Sequence, residues 1–216
     1  MLLAGRRLEN LISCNGAGST IFVHSGITST VTTSFARSSD PKGVAYDGAN
    51  LMTITGSADD KIYIHSGVTS TITTSFAAPS TTPSGITFDG TNIISCDGGA
   101  DKIFIHSGKT STITSSFAAP STNISGITFD GTNLISCDQN TDKIFIHSGV
   151  TSTITSSFAS PNALPSGLAY DGNNLISCDI SALKIFVHSG VTSTIQTSFA
   201  SPSSEPTGLT VQRDLS

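Results

Sequence analysis

The chain has 216 residues, a formal net charge of −5, only 12% charged residues and no Trp. Those values exclude an ordinary nucleic-acid-binding surface, which needs clustered Lys and Arg to neutralise phosphates. No apolar run approaches the ~20 residues of a membrane-spanning helix. Ser, Thr, Ile and Gly dominate and no stretch carries a helical apolar period, so an all-β chain is expected.

In chain order, residues 1–9 form a lead with no assigned element. The apolar part of MLLAGRRLEN is too short for a signal peptide, and its arginines lie on the wrong side of it. Nothing there marks the chain for export, which fits a cytoplasmic or virion-associated location. From Asn10 onward the chain repeats. Alignment on Asn10, Asn50, Asn92, Asn133 and Asn174 divides it into five units of 40 to 43 residues, the third and fourth identical at most positions.

The third unit shows the pattern. NIISCD (92–97) is a strand, GGA turns the chain, and DKIFIHS (101–107) is a second strand. After Gly108 comes STITSSFA (111–118), then a Pro- and Ser-rich connection, then GITFD (126–130). Asp130-Gly131 leads into the next unit and is a strong hairpin signal. Connections this short join antiparallel neighbours, and four strands in about 41 residues is the pattern of a propeller blade. With GITFD as inner strand A, followed outward by B, C and D, the chain opens with B, C and D of one blade. It closes with a spare A strand, PTGLTVQ (206–212). The expected fold is therefore an all-β five-bladed β-propeller with four antiparallel strands per blade. Residues 10–216 form one domain, closed 3+1 by the C-terminal strand. Tight Asp-Gly hairpins oppose the rival β-solenoid.

The segment PSGITFDGTNLISCDQNTDKIFIHSG resembles the NHL and YVTN families of propeller repeats, in which a Pro-x-Gly-apolar strand leads through an Asp-Gly-Asn turn into the next strand. The resemblance implies the propeller fold. For activity it implies a range, from scaffolds and protein-binding modules to a few lyases and lactonases, because fold does not dictate function.

His24, His65, His106, His147 and His188 recur at a step of 41 residues. On strand C, with strands ~4.8 Å apart, equivalent positions lie roughly 15–20 Å from one another. Metal ligands sit ~2.1 Å from their ion, so these five cannot converge. Each is expected to satisfy backbone groups at its own C-to-D turn or on the next blade. Cys14, Cys96, Cys137 and Cys178 share one strand-B position that Ile54 fills in the second unit, an apolar packing site with no disulfide and no catalytic thiol. Phe35, Phe76, Phe117, Phe158 and Phe199, with Tyr46, Phe88, Phe129, Tyr170 and Val211, are read as core. Thr112 and Thr114 are read as facing water.

In a meander the A-to-B and C-to-D turns share one rim, nearly constant across units; the B-to-C turns and D-to-A connections share the other, which varies. Turns on a rigid scaffold are the usual seats of binding. The candidate ligand-binding residues are accordingly Lys42, Asp60, Asp101, Asp142 and Asn140 on the variable rim. With Asp59, the aspartates could hold a cation through loop carbonyls, but EF-hand-like spacing is absent. No metal and no cofactor is expected. Glu9 and Glu205 are the only glutamates, and Arg37, Asp40, Lys42 and Lys109 form no recognisable set, so no catalytic residue is assigned. The expectation is a monomeric, non-enzymatic binding scaffold with repeated sites for a glycan or a protein, the lack of Trp weighing against the glycan. The alternatives are a lyase- or lactonase-type enzyme, or a recently amplified or engineered repeat with no evolved ligand.

Overall fold

The computed structural model describes residues 9–37, 39–56 and 59–213. Twenty strands form five four-stranded sheets. Blade I joins β1 (Glu9–Asn15), β2 (Thr20–His24) and β3 (Val31–Ala36) to β20 (Pro206–Arg213). Blade II holds β4 (Pro41–Tyr46), β5 (Leu51–Thr55), β6 (Lys61–His65) and β7 (Ile72–Ala77). Blade III holds β8 (Pro83–Phe88), β9 (Ile93–Asp97), β10 (Lys102–His106) and β11 (Ile113–Ala118). Blade IV holds β12 (Ile124–Phe129), β13 (Leu134–Asp138), β14 (Lys143–His147) and β15 (Ile154–Ala159). Blade V holds β16 (Pro165–Tyr170), β17 (Leu175–Asp179), β18 (Lys184–His188) and β19 (Ile195–Ala200).

The chain is thus a five-bladed propeller closed by its C-terminal strand. β20 lies antiparallel to β1, with Leu11 opposite Val211 and Ser13 opposite Leu209. Of the expected lead, residues 1–8 lie outside the described residues, while Glu9 opens β1 opposite Arg213. Inner strands begin two residues before the GITFD-type segments, because a bulge such as that between Ile124 and Gly126 lets the preceding residue still pair.

The second strands β5, β9, β13 and β17 are buried along their whole length, since a neighbouring blade covers each face. The core is accordingly five slabs, one at each blade interface. Between blades II and III, for example, Met52, Ile54, Ile62 and Ile64 meet Ile86 and Ile93. Burying one such side chain is worth about 2 kcal/mol, against about 1 kcal/mol net for a hydrogen bond. Apolar burial holds the interfaces; polar contacts set their register.

On the axis the inner strands contact one another in the order β4, β8, β12, β16, β20 and back to β4. Each carries a glycine where the strands come closest. A Cβ on Gly43 would lie 3.0 Å from the Gly85 Cα, one on Gly85 3.2 Å from Gly126, and one on Gly126 3.0 Å from Gly167. The circle closes with 2.9 Å from Gly167 to Gly208 and 2.7 Å from Gly208 to Gly43. Five bare backbones therefore plug the channel. The throat between them holds about 10 Å³, at the lower limit of the roughly 10–15 Å³ that one water needs.

Two predictions follow from this ring. Gly126→Ala should destabilise by about 3 kcal/mol in urea unfolding, because the clash is with backbone on the next blade. Gly131→Ala, at φ 99° with open space around it, should cost only about 1–2 kcal/mol of backbone strain; equal losses would contradict the ring. Deleting 206–213 should remove cooperative unfolding altogether, whereas a truncated chain that melts like the parent would contradict closure by β20.

Candidate functional site

The repeated histidines come first, since they are the most prominent chemical groups. Each ring is fully buried. Nδ1 faces a carbonyl of its own C-to-D turn: Thr28 at 2.7 Å, Thr69 at 2.7 Å, Thr110 at 2.8 Å, Thr151 at 2.7 Å and Thr192 at 2.6 Å. A carbonyl only accepts, so Nδ1 carries the proton. Nε2 then accepts a hydroxyl from the adjacent strand: Ser13, Thr53, Ser95, Ser136 or Ser177. A phenyl ring of the preceding blade tilts over each imidazole, as Phe35 does on His65 at 6.2 Å and Phe199 on His24 at 6.4 Å. Burial pushes all five imidazoles below 6.5, and His65 to about 4. The rings are neutral struts between strands and between blades.

The thiols are equally committed. Ser84 Oγ donates to the Ile124 carbonyl of the next blade at 2.7 Å, Ser125 to Pro165 at 2.5 Å, Ser166 to Pro206, and Thr207 to Pro41 at 2.7 Å. Each hydroxyl spends its single proton there, so the thiol beside it is the donor: Cys96, Cys137, Cys178 and Cys14 lie 3.3 Å from Ser84, Ser125, Ser166 and Thr207. Burial raises Cys14, Cys96 and Cys137 to about 12, which removes the thiolate. This belt of hydroxyls has one gap. In blade II the hydroxyl is replaced by Lys42 and the thiol by Ile54, because without an acceptor the second position is simply apolar.

The plugged throat leaves two separate mouths. On the variable rim a mouth of about 530 Å³ is lined by Lys42, Ser84, Ser125, Ser166 and Thr207, with Asn123, Gln139 and Glu205 above them. On the constant rim a mouth of about 430 Å³ is lined by Tyr46, Phe88, Phe129, Tyr170 and Arg213. This corrects the core assignment of those four rings: they are half-buried, and only Val211 of that set is buried. All four line the mouth at the A-to-B end, and Phe88 also packs against the slab between blades II and III. The Phe residues of strand D are also half-buried, packed on the edges of the slabs.

Of the five residues proposed from sequence, Lys42 lines the variable mouth, where its Nζ pairs with Asp40 at 2.6 Å. Asp60, Asp101 and Asp142 hold left-handed turn positions at φ 45°, 52° and 51°. Asp101 accepts the Asn123 N–H at 3.0 Å and Asp142 the Leu164 N–H at 3.2 Å, which ties turn to connection. Asn140 donates to Thr122 at 3.0 Å. Among the described residues no group of three or more His, Cys, Asp and Glu is placed to hold a metal.

One sector departs from the others. The connection from β3 to β4 holds four residues (37–40), where the others hold five (78–82, 119–123, 160–164, 201–205). The turn from β5 to β6 holds five (56–60), where the others hold four. Into this altered space come Arg37, Asp59 and Tyr63. Asp59 accepts from Thr55 at 2.6 Å, from Ser39 at 2.9 Å and from the Tyr63 hydroxyl. Burial alone would raise the Asp59 carboxyl, but these three donors outweigh it and hold it below 3.8. The hydroxyl belt and this sector went unassigned at the sequence level. The signal for both was present: Lys42 in the first unit and Ile54, Thr55, Asp59 and Tyr63 in the second, all of one blade, differ from their counterparts in the other blades.

No protein-family model and no curated protein sequence matches the chain. Among solved structures the likeness is wide, with 1303 matching chains. A chain of a nidogen/laminin complex aligns at TM-score 0.68 and 17% identity, covering 95% of this chain and 99% of that one. The glutaminyl cyclase of Myxococcus xanthus aligns at TM-score 0.61 and 13% identity over 73% and 76%. A chain of a mitotic checkpoint complex aligns at TM-score 0.55 and 14% identity over 88% and 62%. Identities this low establish the propeller class and nothing finer. Among the described residues no helix is long and apolar enough to cross a membrane.

The histidines generate a pH prediction. Their folded pKa values lie below 6.5, so the unfolded chain binds more protons in between and stability rises with pH across that interval. Stability should be complete above about pH 6.5 and fall as pH drops from there toward the folded value, about 4 for His65. His106→Gln should cost about 2 kcal/mol at neutral pH and make that slope shallower by one imidazole's share of the five, with metal content unchanged. Thermal melts from pH 7.5 to 4 measure the slope; bound zinc lost with the imidazole would contradict the strut.

Proposed function

We propose that the protein is a monomeric, non-enzymatic interaction scaffold that engages one protein partner through the mouth on its variable rim. The observation that carries this reading is how the reactive groups are used. Every imidazole and every thiol is buried and bonded into blade contacts, while the polar lining of an open 530 Å³ mouth differs from blade to blade. A catalytic centre needs a titratable group poised near its working pH and facing substrate. A binding surface needs convergent hydrogen-bonding side chains on rigid elements, which Asn123, Gln139, Lys42 and Glu205 provide on a ring held at five interfaces. Two of the similar solved chains come from protein complexes, and the repeat reads as NHL- or YVTN-like, families that include protein-binding modules. A glycan is the second reading, favoured by the hydroxyl-rich lining and opposed by the absence of Trp.

Selection from a displayed-peptide library separates these readings. Peptides enriched on the wild type should lose binding to Lys42→Glu by at least about tenfold, or 1.4 kcal/mol, and keep it on Tyr46→Ala at the opposite mouth. Enrichment on a glycan array with no peptide signal, or turnover of a lactone or lyase substrate panel that depends on Lys42 or Glu205, would overturn the proposal.

A further inference from the structure

The mouth on the constant rim is lined by four half-buried aromatic rings, Tyr46, Phe88, Phe129 and Tyr170. The aspartates of the A-to-B turns stand beside them. Each uses Oδ1 to accept the two backbone N–H groups that close its own turn. These are Ala49 and Asn50 on Asp47, Thr91 and Asn92 on Asp89, and Thr132 and Asn133 on Asp130. Oδ2 is left outside that closure.

At the interface of blades II and III the second oxygen holds a cation. Lys109, in the C-to-D turn of blade III, donates from Nζ to Asp47 Oδ2 at 2.6 Å. The same ammonium lies over the Phe88 ring, 5.9 Å from the centroid, within the ~6 Å reach of cation–π attraction. A carboxylate of one blade and a ring of the next thus hold an alkylammonium between them. The other units carry Ile27, Val68, Val150 and Val191 in place of Lys109. Those shorter side chains pack on the slabs and bring no charge to the rim.

The other four interfaces differ in which of the two groups they keep. Between blades I and II the acid is missing, because Gln212 stands opposite Asn10 where the other blades carry Asp. Between blades V and I the ring is missing, because Val211 replaces it. Between blades IV and V both Asp130 and Tyr170 are present, but the Arg213 guanidinium already lies over that ring at 5.7 Å and donates to the Tyr170 carbonyl. Between blades III and IV both Asp89 and Phe129 are present, and among the described residues no cation reaches either. Asp89 Oδ2 accepts only from the Asn92 side-chain amide, at 3.5 Å. Both residues line the open mouth, so a ligand can reach them from solvent.

We infer that the constant-rim mouth binds a small organic primary amine, its ammonium held between Asp89 Oδ2 and the face of Phe129 as Lys109 is held between Asp47 and Phe88. A mouth of about 430 Å³ falls within the roughly 300–1,000 Å³ of small-molecule sites. Its rings supply surface for the apolar body of the amine. The site lies on the rim opposite the peptide-binding mouth, so this assignment and the proposed function fail independently.

Titration with n-butylammonium chloride, followed by nitrogen-15 NMR, should shift the Gly90 and Gly131 amides saturably in the millimolar range. Sodium chloride at equal ionic strength should not. Asp89→Asn keeps an Oδ1 for the turn and should weaken binding by at least about tenfold. Lys109→Val installs the residue found in three other units and vacates the Asp47–Phe88 pair, so a second saturable shift should appear at Gly48. No saturable shift, an equal shift with sodium chloride, unchanged affinity in Asp89→Asn, or no response at Gly48 in Lys109→Val would each overturn the assignment. So would a lysine-containing pentapeptide that binds more than about tenfold tighter than n-butylammonium, which would mark the pair as a polypeptide surface.

Discussion

Five glycine backbones meeting on the axis determine how the rest of this molecule can be arranged. Because Gly43, Gly85, Gly126, Gly167 and Gly208 approach to within the distance at which a methyl group would collide with the next backbone, the inner strands sit nearly in contact. The apolar slabs between blades then have a fixed thickness, and the hydroxyl that precedes four of the five glycines falls within reach of the next blade's carbonyl. The same closure divides what would be a tunnel into two shallow basins with unlike linings, one hydroxylic and one aromatic. Any ligand on the axis meets one basin or the other, never both.

Further from the axis a second circle of contacts repeats the arrangement with different chemistry. Each imidazole is fixed by a carbonyl of its own turn, a hydroxyl of the adjacent strand and a phenyl ring of the preceding blade. An imidazole suits this post because one nitrogen can donate while the other accepts, and its body remains flat and apolar enough to lie under a phenyl ring. The repeated octapeptide DKIFIHSG is thus architecture. Its neutrality follows from its burial, and the cost of that choice appears only in acid.

Most of the fold could be read from the residues, because its determinants are local and recur. Asp-Gly turns mark the hairpins, the spare strand 206–212 predicts the seam, and simple strand spacing rules out a shared ion for His24, His65, His106, His147 and His188. What escaped reading depends on groups far apart in sequence. The glycine of each Pro-x-Gly segment looks like a local turn residue until five inner strands are known to converge. Tyr46, Phe88, Phe129 and Tyr170 alternate with small residues as core rings would, and alternation does not tell a slab from a mouth. Arg37 looked like one unmatched charge among several; its burial over the Tyr63 ring of the next blade is a contact between two units, which no pattern within one unit displays.

The exchange of one residue between the connection at 37–40 and the turn at 56–60 leaves the 41-residue interval from His24 to His65 intact. A deletion and an insertion that cancel in this way alter the outer edge of one interface while the struts on either side stay in phase. The remaining four interfaces have the same construction and the unaltered lengths. The outer edge of one interface can thus change length and chemistry while the phase of the struts and the closure at the hub are kept.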